Sequence, residues 1–254
     1  METVQRVVDI QTADGLMAVP TSRPVEGGTR PAVIVVMGSP GVSPNIVGIV
    51  DRFAQEGYVA VAPDLYHRAG RLRWAPAEKR QEMQGELRAN GFSDASIDMD
   101  VKATLDYLRS DPGVSTIGIT GFCLGGRVSL QTAIRASGLS AAGIFYGGNM
   151  FPGDDRPEAF SAIRESATLA VPVIGFFGEE DQNPTAEEAR SLDAHLTNIG
   201  KEHAFYYYEG AGHAFFNDDS PGYRPGPAAD SWEKILEFFD RHLRRAGSPA
   251  ASRA

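Results

Sequence analysis

One hexapeptide constrains this chain more than any other segment: Gly121-Phe122-Cys123-Leu124-Gly125-Gly126, which carries the single cysteine among 254 residues. It follows the apolar run Val114-Ser115-Thr116-Ile117-Gly118-Ile119-Thr120 and precedes a helix-like stretch from Arg127 to Ala136. Strand, glycine-flanked turn and helix in that order read as a nucleophile elbow with a thiol where serine is commoner. Such a turn forces its central residue into a strained backbone conformation, so that the side chain stands clear at the tip. The residues two before and two after then crowd the adjoining strand and helix, where a Cβ would clash. The helix start turns free N–H groups and a positive dipole end toward the sulfur, which favours a thiolate. A small buried cysteine acting as a hydrophobe is the competing reading. The six residues alone do not separate the two.

The surrounding pattern predicts an α/β fold with a mostly parallel sheet covered by helices on both faces. Val4 to Val19 alternates loosely around Asp14-Gly15 and reads as an opening antiparallel hairpin. Continuous apolar runs at Ala32–Met37, Tyr58–Pro63, Ala141–Tyr146, Val171–Phe177 and His203–Tyr208 read as buried strands. Helical spacing covers Asn45–Gly57, Asp94–Arg109, Thr185–Ile199 and Ala228–Arg245. No repeat or linker-like shift divides the chain, so one domain over 1–245 is expected, with 246–254 a disordered tail. The Arg- and Glu-rich segment Tyr66 to Phe92 breaks the rhythm. It is expected to form a helix and loops over the carboxyl edge of the sheet, where such folds keep their sites.

Composition narrows the partners. A net charge of -9 argues against nucleic acid or an anionic membrane. One cysteine excludes an internal disulfide framework and disfavours a cysteine-based zinc site. No stretch approaches a membrane span, and Met1 to Val8 lacks a signal-peptide pattern, so a cytoplasmic protein is expected. Neither monomer nor homodimer is indicated.

A nucleophilic thiol wants a base and something to orient that base. Of five histidines, His213 stands in Gly210-Ala211-Gly212-His213-Ala214-Phe215-Phe216, just past a strand, where glycines let an imidazole reach the sheet edge. His67, His195, His203 and His242 read as structural. Sites of this kind run nucleophile, acid, histidine along the chain. The strand Val171–Phe177 ends at Gly178-Glu179-Glu180-Asp181, so Asp181 is the expected acid, with Glu180 as runner-up and Glu179 facing solvent. Donors for an oxyanion are expected from the backbone N–H of Leu124 and from Ser39 in Gly38-Ser39-Pro40-Gly41-Val42, since Pro40 has none. Trp74, Tyr66, Phe122, Tyr146 and Phe216 are candidates for an apolar cleft, Tyr146 foremost.

These residues resemble the dienelactone hydrolase family of α/β hydrolases, carboxymethylenebutenolidase-like, over nearly the whole chain. The likeness rests on Gly121 to Gly126, Pro63-Asp64-Leu65-Tyr66, the turn from Gly178 to Asp181, and Gly212-His213-Ala214-Phe215. It implies a Cys123–His213–Asp181 triad without metal or organic cofactor, acting on small esters or lactones. Two positions depart from the family pattern. A glutamate that engages the thiol in its members is replaced by Gly38, and an arginine four residues after the histidine is replaced by Asn217. A second carboxylate-binding arginine is expected at Arg80. Without the glutamate, His213 should take the thiol proton directly, giving a thiolate–imidazolium pair. Acyl transfer, thioester cleavage and a non-catalytic ligand-binding relative are the other functions such a chain could serve. A redox-sensing thiol is weakened by the lack of a resolving cysteine.

Overall fold

The computed structural model describes residues 1–75, 79–152 and 159–244. The expected tail 246–254 lies outside the described residues. The chain opens with an antiparallel hairpin, β1 (Thr3–Thr12) and β2 (Gly15–Pro24), paired from Thr3 with Pro24 to Thr12 with Gly15. Six further strands follow: β3 (Arg30–Val36), β4 (Val59–Val61), β5 (Val114–Phe122), β6 (Ala141–Phe145), β7 (Val173–Gly178) and β8 (His203–Tyr208). They build one eight-stranded sheet in the order β1-β2-β4-β3-β5-β6-β7-β8. β2 meets β4 antiparallel, and every pairing from β4 to β8 is parallel. The expected mostly parallel sheet is the observed one.

The helices are α1 (Pro44–Gln55), α2 (Arg80–Ala89), α3 (Asp94–Ser110), α4 (Leu124–Arg135), α5 (Ala162–Glu165), α6 (Ala186–Asn198) and α7 (Pro225–Phe239). Their starts are written locally. Ser43 caps α1 by accepting the Ile46 N–H, with Pro44 in the first turn where its missing donor costs nothing. Ser93 and Ser96 cap α3 reciprocally, and Thr185 with Glu188 does the same for α6. α1 buries Ile46, Ile49, Val50 and Phe53, the stripe expected from its spacing. In β3, Ala32 to Val36 are wholly buried, as a central parallel strand covered on both faces requires.

The carboxyl ends of β3, β5, β6, β7 and β8 converge on one rim, and α2 lies beside it within the segment expected there. A cavity of about 590 Å3 opens at this rim. Beneath it, Phe122, Phe145, Phe176 and Phe216 pack ring against ring, with centroids 4.6–5.1 Å apart along the chain of contacts. Among the described residues no helix is long and apolar enough to cross a membrane.

Candidate active site

The hexapeptide forms the elbow that its pattern predicts. Cys123 has φ 58° and ψ −117°, outside the regions an L-residue favours, and it sits between the end of β5 and the first residue of α4. A Cβ on Gly121 would lie 2.3 Å from the Gly125 carbonyl oxygen, and one on Gly125 only 2.2 Å from that of Val36. Both glycines are therefore demanded by close backbone approach, and the turn aims the sulfur at the cavity.

His213 reaches the same cavity from the loop after β8, its side chain more than one-third exposed. Its Nδ1 lies 2.9 Å from Oδ2 of Asp181, which is nearly wholly buried at the end of β7. The carboxylate accepts there, so Nδ1 carries the proton and Nε2 is left to face the sulfur. The other Asp181 oxygen accepts the Asn183 N–H at 2.9 Å. The two loops are fastened together by backbone bonds, from Glu179 N–H to Tyr208 O and from Glu180 N–H to Ala211 O. Glu180, the alternative acid, is exposed on the cavity wall, and Glu179 pairs with Arg190 at the surface.

The electrostatics agree with this arrangement. Burial would push the Cys123 thiol up, but hydrogen bonding and charge from His213, with the backbone N–H groups of Ser39 and Leu124, bring it below its ordinary value. Burial would likewise push the His213 imidazole down. Hydrogen bonds to Asp181 and Cys123, and their charges, instead raise it to about 10. The two N–H groups expected to hold an oxyanion are thus the two that bond the sulfur.

Gly38 packs beside Cys123: a Cβ there would stand 3.6 Å from Cys123 Cβ and 3.3 Å from the Phe122 carbonyl oxygen. No carboxylate is available from that position. Asn217 does not reach the cavity; its side-chain oxygen accepts the Asp219 N–H at 3.0 Å within its own turn. Tyr66 does line the cavity and donates its hydroxyl to the Ser39 carbonyl at 3.2 Å. The Pro63-to-Tyr66 motif has a structural task. Buried Asp64 accepts N–H groups from Tyr66 (3.1 Å) and Leu72 (2.5 Å), and burial, opposed by those two bonds, lifts its carboxyl to about 6.

Four of the five residues expected in an apolar cleft do not line the cavity. Phe122 is buried in the aromatic stack, its ring 4.6 Å from Phe145 and stacked 5.1 Å from Phe216, and it does not line the cavity. Phe216, in the turn after His213, is core as well, packed on Phe122, Phe145 and Trp232. Trp74 is half exposed, pairs through its backbone with Gly41 in the loop after β3, and is not among the residues that line the cavity. Tyr146 lies under the site rather than in its wall: it is buried, with its ring edge-on to His213 at 5.1 Å. Arg80 begins α2, but its side chain lies outside the described residues. The wall that sequence reasoning missed comes from α2 (Gln84, Leu87, Arg88) and from Asn149 and Asn183 after β6 and β7. Only the Gly147-Gly148 pair beside Asn149 hinted at a tight turn there.

Residues 14–243 match the sequence model of the dienelactone hydrolase family. The chain belongs to that family. A protein of Methylorubrum extorquens named "Putative carboxymethylenebutenolidase" is 32% identical over 238 residues, spanning 92% of this chain and 80% of that protein. A Bradyrhizobium protein named "Probable 2-oxo-3-(5-oxofuran-2-ylidene)propanoate lactonase" is 27% identical over 93% of this chain and 94% of its own length. The crystal structure titled as a putative dienelactone hydrolase from Klebsiella pneumoniae superposes with a TM-score of 0.85 at 27% identity, covering 95% of this chain and all of that one. Membership in the dienelactone hydrolase family makes this chain a hydrolase of the ester or lactone type.

Proposed function

We propose that this dienelactone hydrolase family member cleaves small esters or lactones through an acyl-cysteine intermediate. Cys123 is the nucleophile, His213 the proton carrier and Asp181 the group that orients it. One observation carries the reading: His213, bonded to buried Asp181, also bonds a strained sulfur at which two backbone N–H groups converge. The thiolate attacks the carbonyl carbon, a C–S bond forms, and the carbonyl π pair moves to oxygen. The N–H groups of Ser39 and Leu124 receive that oxyanion. Collapse breaks the C–O bond, and the leaving alkoxide takes the proton held by His213. Water then gives a proton to His213 and attacks the thioester; the acid leaves and the thiolate is restored. Each step uses groups already in contact with the sulfur or the cavity, and none calls for a metal or organic cofactor.

The test is turnover of a panel of aryl esters and lactones. Cys123→Ala should abolish it. His213→Ala should lower kcat by on the order of 10^3-fold, and Asp181→Asn by roughly 10^2-fold or more through a misoriented imidazole. Undiminished turnover in Cys123→Ala would overturn the mechanism. Unchanged activity in Asp181→Asn would move the orienting role to Glu180.

A further inference from the structure

The part of the cavity wall formed by the loops after β6 and β7 carries amide side chains beside its charges, Asn149 and Asn183 among them. Asn149 stands at φ 56°, a left-handed conformation that asparagine tolerates better than most residues. Its backbone N–H bonds the side-chain oxygen of Asn183 at 2.8 Å, joining the loops after β6 and β7. The preceding N–H, of Gly148, bonds the carbonyl of Cys123 itself at 3.3 Å. Gly148 is pressed against Asn183, where an added Cβ would meet both the side chain and the backbone at 3.3 Å. Asn149 is thus tied to the nucleophile through its own neighbours. Its carboxamide is exposed on the cavity wall and has no hydrogen-bond partner among the described residues. Gln84 and Gln182 add two further amides to the lining.

The charges there do not favour an anion. Position 38 offers no side chain and Asn217 faces its own turn. The wall also carries Glu180 and Asp181, and its one guanidinium among the described residues is Arg88, exposed on α2. A neutral amide on a backbone held in place discriminates by hydrogen bonding and accepts either a hydroxyl or a carbonyl oxygen.

We propose that Asn149 is a specificity-determining residue that hydrogen-bonds a neutral oxygen substituent on the substrate. The site then prefers hydroxylated or oxo-bearing lactones and esters over both apolar and anionic ones of the same size. This rests on the hydrolase reading above.

The experiment compares five-membered lactones substituted at the α or the γ carbon with alkyl, hydroxyl-bearing or carboxylate groups of similar size. For the wild type, kcat/KM should favour the hydroxyl-bearing member at one position or the other by about tenfold, the worth of one hydrogen bond. Asn149→Gly, which keeps the left-handed backbone, should bring that ratio close to one. Asn149→Asp should keep the preference for hydroxyl over alkyl and worsen the carboxylate member further. An equal loss on all members in Asn149→Gly would assign the residue a merely structural role and overturn the proposal. So would a wild-type preference for the carboxylate member that disappears in Arg88→Gln. Calorimetric binding of the same lactones to Cys123→Ala, which cannot turn over, gives the Asn149 ratio separately. If no lactone is hydrolysed by the wild type, the hydrolase reading fails while this binding ratio still decides the role of Asn149.

Discussion

At Cys123 a backbone cost goes with the placement of its sulfur among hydrogen-bond partners. A residue held at φ 58° spends of order 1–3 kcal/mol in strain and needs surroundings that over-determine it. The carbonyls facing Gly121 and Gly125 provide that constraint, and in return the sulfur meets His213 and two N–H donors. The lowered thiol and the raised imidazole leave a pH interval in which both are charged. Below it the sulfur is protonated, and above about 10 the imidazolium loses its proton. Alkylation of Cys123 by iodoacetamide should therefore already be fast below about pH 8.5, the ordinary thiol value, and nearly flat from there into the alkaline range. In His213→Ala the rate should climb only through about pH 8.5, the ordinary thiol value. A wild-type rate that itself climbs there would remove the ion pair from the mechanism. The raised imidazole of His213 contributes stability that is fully present below its ordinary pKa and lost as pH rises through about 10, whereas the lowered thiol of Cys123 contributes stability present above its ordinary value and lost as pH falls through its folded one.

Among the elements, the β5–elbow–α4 unit is the one with least tolerance. Gly125 sits where α4 crosses the end of β3, and an added methyl group would overlap a backbone oxygen rather than a movable side chain. Gly125→Ala should cost about 3 kcal/mol, read as a lower urea midpoint, and should depress kcat by shifting Leu124 and its N–H. A change under about 0.5 kcal/mol would mean that the two elements separate easily, contrary to the fit described. Elsewhere the elements agree closely with their sequence signals. Capping residues, apolar stripes and β-branched runs are local properties, so α1, α3, α6 and the central strands were legible within a few residues. The start of α7 was less so, because Pro225 and Gly226 dilute its periodicity although proline suits a first turn.

Over the whole molecule, the segment between β4 and α3 that frames the cavity is secured from below. Arg68 donates to both oxygens of Asp100, at 2.6 and 3.0 Å, and its Nε donates to Asp14 in the turn of the N-terminal hairpin. His67 lies 3.3 Å from the same Asp100, which is wholly buried on α3. Hairpin, framing segment and α3 thus meet at one carboxylate. Arg68→Ala should destabilise the protein by about 3 kcal/mol in urea unfolding, since it strands a buried charge. Arg68→Lys should lose less, keeping the charge but not the bidentate fork. Equal stability of the alanine variant would mean that the carboxylate finds another partner or water. These ion pairs were not visible in the sequence, which placed Tyr66 to Phe92 only as a helix and loops over the carboxyl edge of the sheet.

The sequence by itself determined the sheet class, the elbow, and the order of sulfur, carboxylate and imidazole. Each rests on local steric demands or on hydrophobic period, which need no partner to be read. The tertiary structure alone decided which aromatic rings are core and which residues form the wall. Whether Phe122, Trp74 or Tyr146 meets the cavity depends on how a strand end, a loop crossing and a left-handed turn are oriented against distant segments. For the same reason Asn149 acquires meaning only when Asn183 and the Cys123 carbonyl are brought beside it. Residue type limits what a position can do, while the packing of remote elements fixes what it faces.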